Sequence, residues 1–243
     1  CGSTGDNASA DSTVAAGIGL YMLACDGEYG AEVYSGATSE DQAKKVFGPA
    51  KEMADKTPDF RSRFGVATRA TNISVTNTNS KFEPIIGQPG DGDSPSCAIV
   101  DEYHEHATEE LYDTMKTGMV SRSQPLMLVI TTAGSDVSGP CYSHQDDLQK
   151  ILDGVVEDEQ RFGIIFTIDV DDDGNLEDWT TEEALIKANP NLGVSIDVET
   201  LSEAHRAAIR DTRKQATFQT KHLNLWLNSS SPWLNMHDWK KNA

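Results

Sequence analysis

The chain has 243 residues and a formal net charge of −19, from 39 acidic and 20 basic side chains. That balance excludes a generic DNA-coating protein, since affinity for a polyanion comes largely from lysine and arginine releasing counterions from phosphates; any DNA contact has to be local, transient or shared among subunits. The length suits one large α/β domain with a small appended subdomain, and no stretch approaches the roughly 18 uncharged apolar residues that a membrane span needs.

In chain order, the polar start from Cys1 to Asp11 lacks the basic and apolar regions of a secretory signal, so a cytosolic chain is expected. Ser12 to Leu23 reads as a helix, with Val14, Ile18 and Tyr21 at helical spacing. Residues 31–35 form a short strand, and the run from Thr38 to Gln42 opens a helix with a capping pattern that continues past Pro49 towards Asp55. Residues 72–79 alternate as a strand beside 81–86, and 87–93 form a loop. The runs Cys97-Ala98-Ile99-Val100 and 125–130 are wholly apolar, as in central parallel strands covered on both faces, and a helix from Thr108 to Thr117 crosses between them. A further strand is expected at 162–168, an acidic loop follows, and helices lie around 181–188 and 198–220. The expected division is therefore an α/β core over 1–168, then an acidic linker with a small, mainly helical subdomain over 169–243.

The strongest chemical signal is Ala98-Ile99-Val100-Asp101-Glu102, an apolar strand ending in two acids. Such a strand carries them to the carboxyl edge of a parallel sheet, where open α/β folds bind ligands. Nucleotide hydrolysis needs one carboxylate to hold hydrated magnesium and another to position the attacking water. Adjacent residues divide those tasks: Asp101 is the magnesium-side acid and Glu102 the catalytic one. The bland alternative is a strand that ends in solvated charge. The next strand ends in Thr131-Thr132-Ala133-Gly134, small hydroxyl residues and a glycine at the same edge, placed to sense a terminal phosphate or simply to make a turn.

Together these segments resemble the ATPase core of phage large terminase subunits, in the HK97-type branch. Residues 96–105 look like the Walker B segment and 130–134 like the coupling motif (Thr131, Thr132, Gly134). Residues 31–43 are similar to the second strand and helix of that core, and 187–193 and 221–226 also follow the family. The resemblance implies an ASCE-type P-loop NTPase with a mostly parallel sheet flanked by helices. It further implies Mg²⁺ and ATP, double-stranded DNA, a portal protein and a small terminase subunit as partners, a homo-oligomeric ring on the portal, and the cytoplasm of a bacterial host.

Two departures qualify that expectation. A phosphate loop reads G-x-x-x-x-G-K-[ST], with glycines that let backbone N–H groups wrap the phosphates and a lysine on the β/γ charge. Here Gly5 falls at the first glycine and Ser12 at the magnesium-binding hydroxyl, followed by Thr13, but Ala10 replaces the second glycine and Asp11 the lysine. The apolar strand that should lead into this loop is also missing. The motor is therefore expected to be impaired; the alternative is an inactive remnant or assembly module that keeps the fold. The sequence also stops about where the family's nuclease domain would begin, so no nuclease is expected.

Weaker features carry less. Residues 169–177 follow an EF-hand loop for nine positions, but Thr180 replaces the closing glutamate, leaving calcium or a plain acidic loop as readings. Arg61, Arg63 and Arg69 could serve in trans on a phosphate, contact DNA or sit on a solvated face. Cys1, Cys25, Cys97 and Cys141 are expected as reduced thiols, His104 and His106 as an i, i+2 pair suited to a strand, and Trp226, Trp233 and Trp239 as packing anchors.

Overall fold

The computed structural model describes residues 6–86, 92–170 and 175–227. Gly5, residues 87–91 of the expected loop, residues 171–174 of the acidic run, Trp233 and Trp239 lie outside the described residues. The chain divides into two compact units, Cys1–Thr131 and Thr132–Ala243.

The first unit is built on strands β1 (Glu32–Ala37), β2 (Val66–Thr68), β3 (Ile73–Val75), β4 (Ser80–Ile86), β5 (Cys97–Asp101) and β6 (Leu126–Ile130). In space they run β2-β3-β4-β1-β5-β6. Strands β4, β1, β5 and β6 are parallel, while β2 and β3 add antiparallel pairs at one side. This is the mostly parallel α/β sheet that the sequence predicts. Only β5 is buried at every position; β6 is half-buried throughout, because among the described strands its one neighbour is β5. The apolar run 125–130 thus reads like a central strand while sitting at the end of the ladder.

Helices α1 (Asp6–Ala24), α2 (Glu40–Lys56), α3 (Pro58–Phe64) and α4 (Glu110–Gly118) complete the unit. Helix α1 starts six residues earlier than Ser12, the start expected from sequence. No glycine or proline interrupts residues 6–16, so local propensity lets the helix run back to residue 6. Its buried face also differs from the expected one. Ala15, Ala16, Leu20 and Leu23 are inside, whereas Val14 and Tyr21 are 64% and 55% exposed. Small residues win the inner face because they let the helix approach the sheet closely. Helix α2 is capped as expected, Ser39 Oγ accepting from the Gln42 N–H, and it carries Pro49 within it. Ser35 Oγ reaches the Ala43 carbonyl of α2, and the next residue, Gly36, faces Leu111 of α4, so α2 and α4 lie on opposite faces of β1.

Two glycines of α1 test this packing in opposite directions. A Cβ on Gly17 meets nothing within 4 Å, but one on Gly19 would sit 2.8 Å from Cε1 of the fully buried Phe82. Gly17→Ala is expected to stabilise the fold by about 0.5–1 kcal/mol through helix propensity alone. Gly19→Ala is expected to destabilise it by about 1–3 kcal/mol through overpacking. Urea unfolding of the two variants checks the pair; a gain at both positions would show that α1 is not seated on Phe82.

The second unit holds α5 (Pro140–Leu152), α6 (Glu182–Ala188), α7 (Val198–Arg210) and α8 (Thr212–Leu223). Its core gathers Ile168, Trp179, Leu185, Leu201, Phe218 and Leu223. The expected single helix over 198–220 is two, because Asp211 closes α7 and caps α8 by accepting from the Arg213 N–H. Residues 162–168 form no strand: Phe162 and Ile164 are 86% and 60% exposed, and side chains rather than a ladder anchor the run. Thr167 Oγ1 donates to the Leu223 carbonyl at 2.9 Å, and Asn224 Nδ2 to the Phe166 carbonyl at 2.9 Å. Trp226 packs as expected, edge-on to Tyr142 with its N–H donating to Gln145. Among the described residues no helix is long and apolar enough to cross a membrane. Cys25, Cys97 and Cys141 are free thiols.

Candidate active site

Strand β5 delivers Asp101 to the carboxyl edge of the sheet, 4% exposed and next to the first turns of α1. Ser12 Oγ, itself buried, donates to Asp101 Oδ2 at 3.4 Å across 89 residues of sequence. The other carboxylate oxygen accepts the Glu102 N–H at 2.9 Å. Burial raises the Asp101 carboxyl above its ordinary range and the Asp11 charge adds to this, against lowering by those two hydrogen bonds and the Lys45 charge. A buried carboxylate beside a serine hydroxyl is a hard-oxygen pair of the kind that magnesium accepts together with its own waters. Ser12 and Asp101, the two residues expected on the magnesium side, are therefore in contact.

Glu102 breaks the strand. Its backbone lies at φ 49°, ψ 48°, left-handed and costly for a residue with a Cβ, and such strain clusters at functional sites. A 3₁₀ turn, Tyr103–Glu105, follows at once. The His104/His106 pair is consequently on a turn and not on a strand. His104 Nδ1 lies 3.3 Å from Glu102 Oε2 and 3.0 Å from Thr131 Oγ1, and the His104 backbone N–H also donates to Thr131 Oγ1 at 3.0 Å. His106 is buried with Nε2 3.4 Å from the Asp101 carbonyl, and burial lowers its pKa.

The structure thus brings together Ser12, Asp101, Glu102 and Thr131. Thr13, next to Ser12, is exposed on α1. Gly5 lies outside the described residues. Thr132 and Gly134 belong to the second unit, where the buried Ala133 between them donates its N–H to Asn224 Oδ1 at 3.4 Å. The arginines are not brought to the acids. Arg61 and Arg63 sit on α3 and Arg69 just past β2, with β3, β4 and β1 between β2 and β5, a span of about 19 Å at normal strand spacing. Sequence reasoning gave no role to His104 or Gln42. The available signal was a histidine two residues past the acid pair, with a threonine ending the next strand. It also missed a cavity of about 160 Å³ lined by Thr38, His106, Thr108 and Glu110.

Against known proteins, the family model of the terminase large subunit ATPase domain matches residues 6–150. The model of the terminase large subunit endonuclease domain matches residues 155–243, the stretch read from sequence mostly as linker and helical subdomain, where no nuclease is expected. Among curated relatives, Protein YmfN of Escherichia coli (strain K12) is 44% identical over 176 residues, covering 72% of this chain and 38% of that protein. The terminase large subunit of Enterobacteria phage HK97 is 22% identical over 213 residues, 86% of this chain and 40% of that one. The crystal structure of the HK97 bacteriophage large terminase shares the fold at a TM-score of 0.75 and 22% identity, over 96% of this chain and 47% of that chain. The large terminase of bacteriophage D6E, solved in complex with ADP, matches at a TM-score of 0.50 and 14% identity, over 88% and 44%. The chain spans less than half the length of each of these relatives.

Proposed function

Given a chain that belongs to the terminase large-subunit family, we propose that it is the ATPase part of a motor that drives double-stranded DNA into a procapsid, impaired in its grip on nucleotide. The observation that carries this reading is the buried Ser12–Asp101 contact with Glu102 one residue on, at the carboxyl edge of a parallel sheet. In it, Asp101 and Ser12 hold hydrated magnesium, and Glu102 orients water towards the terminal phosphate of ATP. Magnesium, when bound, neutralises charge developing on the phosphates. Thr131, with Thr132 and Gly134, reports phosphate loss. The ADP complex of the D6E enzyme supports the choice of nucleotide. A ring on the portal, with the small terminase subunit beside it in the host cytoplasm, completes the proposal, and it leaves one of Arg61, Arg63 or Arg69 free to act on a neighbour's site.

The impairment rests on α1. From residue 10 onward its N–H groups are spent on carbonyls four residues back, so they cannot wrap phosphates. Asp11 then sets an anion where a lysine would face the nucleotide, reversing an interaction of about 4 kcal/mol for a unit pair at contact near a protein surface. These two features also favour a second reading, a remnant or assembly module that keeps the fold without hydrolysis. Thermal unfolding with and without millimolar Mg-ATP tests the proposal: the unmodified chain should show little or no shift, and a shift of many degrees with brisk turnover would show that the loop is not impaired.

A further inference from the structure

Granting that Glu102 is the water-orienting acid, the polar row around it goes further. His104 stands at the centre. Its side chain is 8% exposed, and its Nδ1 faces both Glu102 Oε2, at 3.3 Å, and Thr131 Oγ1, at 3.0 Å. A carboxylate only accepts hydrogen bonds, so its presence favours the hydrogen on Nδ1. That N–H is engaged with Thr131, while Glu102 Oε2 waits beside it at ion-pair distance, outside a hydrogen bond. The other ring nitrogen lies 3.9 Å from Glu105 Oε1, while Glu105 Oε2 accepts from Gln42 Nε2. Gln42 Oε1 in turn accepts from Thr38 Oγ1 at 2.7 Å. The row crosses the carboxyl ends of β6, β5 and β1, three neighbouring strands.

We infer that His104 is a positioning residue that holds the Glu102 carboxylate and makes its orientation answer to Thr131. When Thr131 moves away, the Nδ1 hydrogen can turn to Glu102; when Thr131 closes in, it is held by Thr131, as it is here. Glu102 depends on such a hold, because its left-handed backbone persists only where surrounding contacts over-determine it. His104 touches neither substrate nor metal in this role.

The test uses the full chain carrying Ala10→Gly and Asp11→Lys, so that turnover is measurable. His104→Ala is expected to lower kcat by about 10- to 100-fold with KM for Mg-ATP nearly unchanged. His104→Asn, whose amide hydrogen falls near that of Nδ1, is expected to recover most of the loss, and His104→Gln to recover little. Adding Thr131→Val to His104→Ala should cost nothing more, since the two act as a unit. An effect on KM alone, an Asn variant as poor as Ala, or fully additive losses would overturn the inference. Absence of turnover with His104 intact would count against the reading of the site instead. Unfolding of the unmodified chain then decides the matter: His104→Ala and Thr131→Val together should lower Tm by at least about 2 °C less than the sum of the single losses, and simple additivity would sink the inference.

Discussion

Changing Ala10 to glycine and Asp11 to lysine together is expected to turn a chain that scarcely responds to Mg-ATP into one that binds it and turns it over. The two changes act on different faults. Glycine at 10 weakens α1 by about 1 kcal/mol where it runs through the phosphate loop, freeing backbone N–H groups to turn outward. Lysine at 11 removes an anion that adds to the effect of burial on Asp101 and supplies the cation that the β/γ phosphates need. With ligand at a hundredfold excess over its dissociation constant, binding adds about 2.7 kcal/mol to stability, readily seen as a rise in Tm. Neither single change should suffice, because glycine alone leaves the repulsion and lysine alone leaves the helix. If the double variant shows neither a thermal shift nor turnover, the defect lies elsewhere and the remnant reading prevails.

In that restored chain, Glu102→Gln is expected to lower turnover by more than about 100-fold while leaving the Mg-ATP thermal shift intact. The amide keeps the size and reach of the side chain but can no longer draw a proton from water. Asp101→Asn should behave differently and weaken the thermal shift itself, because Asp101 and Ser12, which face each other, are the pair proposed to hold the metal. Steady-state kinetics and melting curves on the same samples separate the two acids. A Glu102→Gln chain as fast as its parent would remove Glu102 from the chemistry.

Much of this site was legible because strand periodicity and parallel pairing leave few places for Asp101 and Glu102 to go. A buried run ending in two acids meets solvent at the carboxyl edge, and the register of β5 with β1 and β6 puts it there. The cap at Ser39 was likewise readable, being a contact three residues long. What was hidden depends on tertiary choice. Val14, Ile18 and Tyr21 make a plausible helical stripe, yet of the three only Ile18 packs against the core, and the sheet selects Ala15, Ala16 and Gly19, whose merit is their lack of bulk. The early start of α1 was hidden by the family pattern, which calls for a loop where local propensity favours helix. Residues 162–168 have strand composition but no ladder partner, and composition cannot report a missing neighbour. His104 was obscure because its value comes from a backbone turn at Glu102 that propensity argues against.

That turn has a bearing on any attempt to engineer the protein. Glycine would relax the left-handed backbone at position 102 without disturbing β5, so thermal robustness and chemical competence pull against each other at a single residue. Selection by melting temperature alone would drift towards a hardier chain that had discarded the carboxylate proposed to orient water. Variant libraries of this fold are better ranked by response to nucleotide than by resistance to heat.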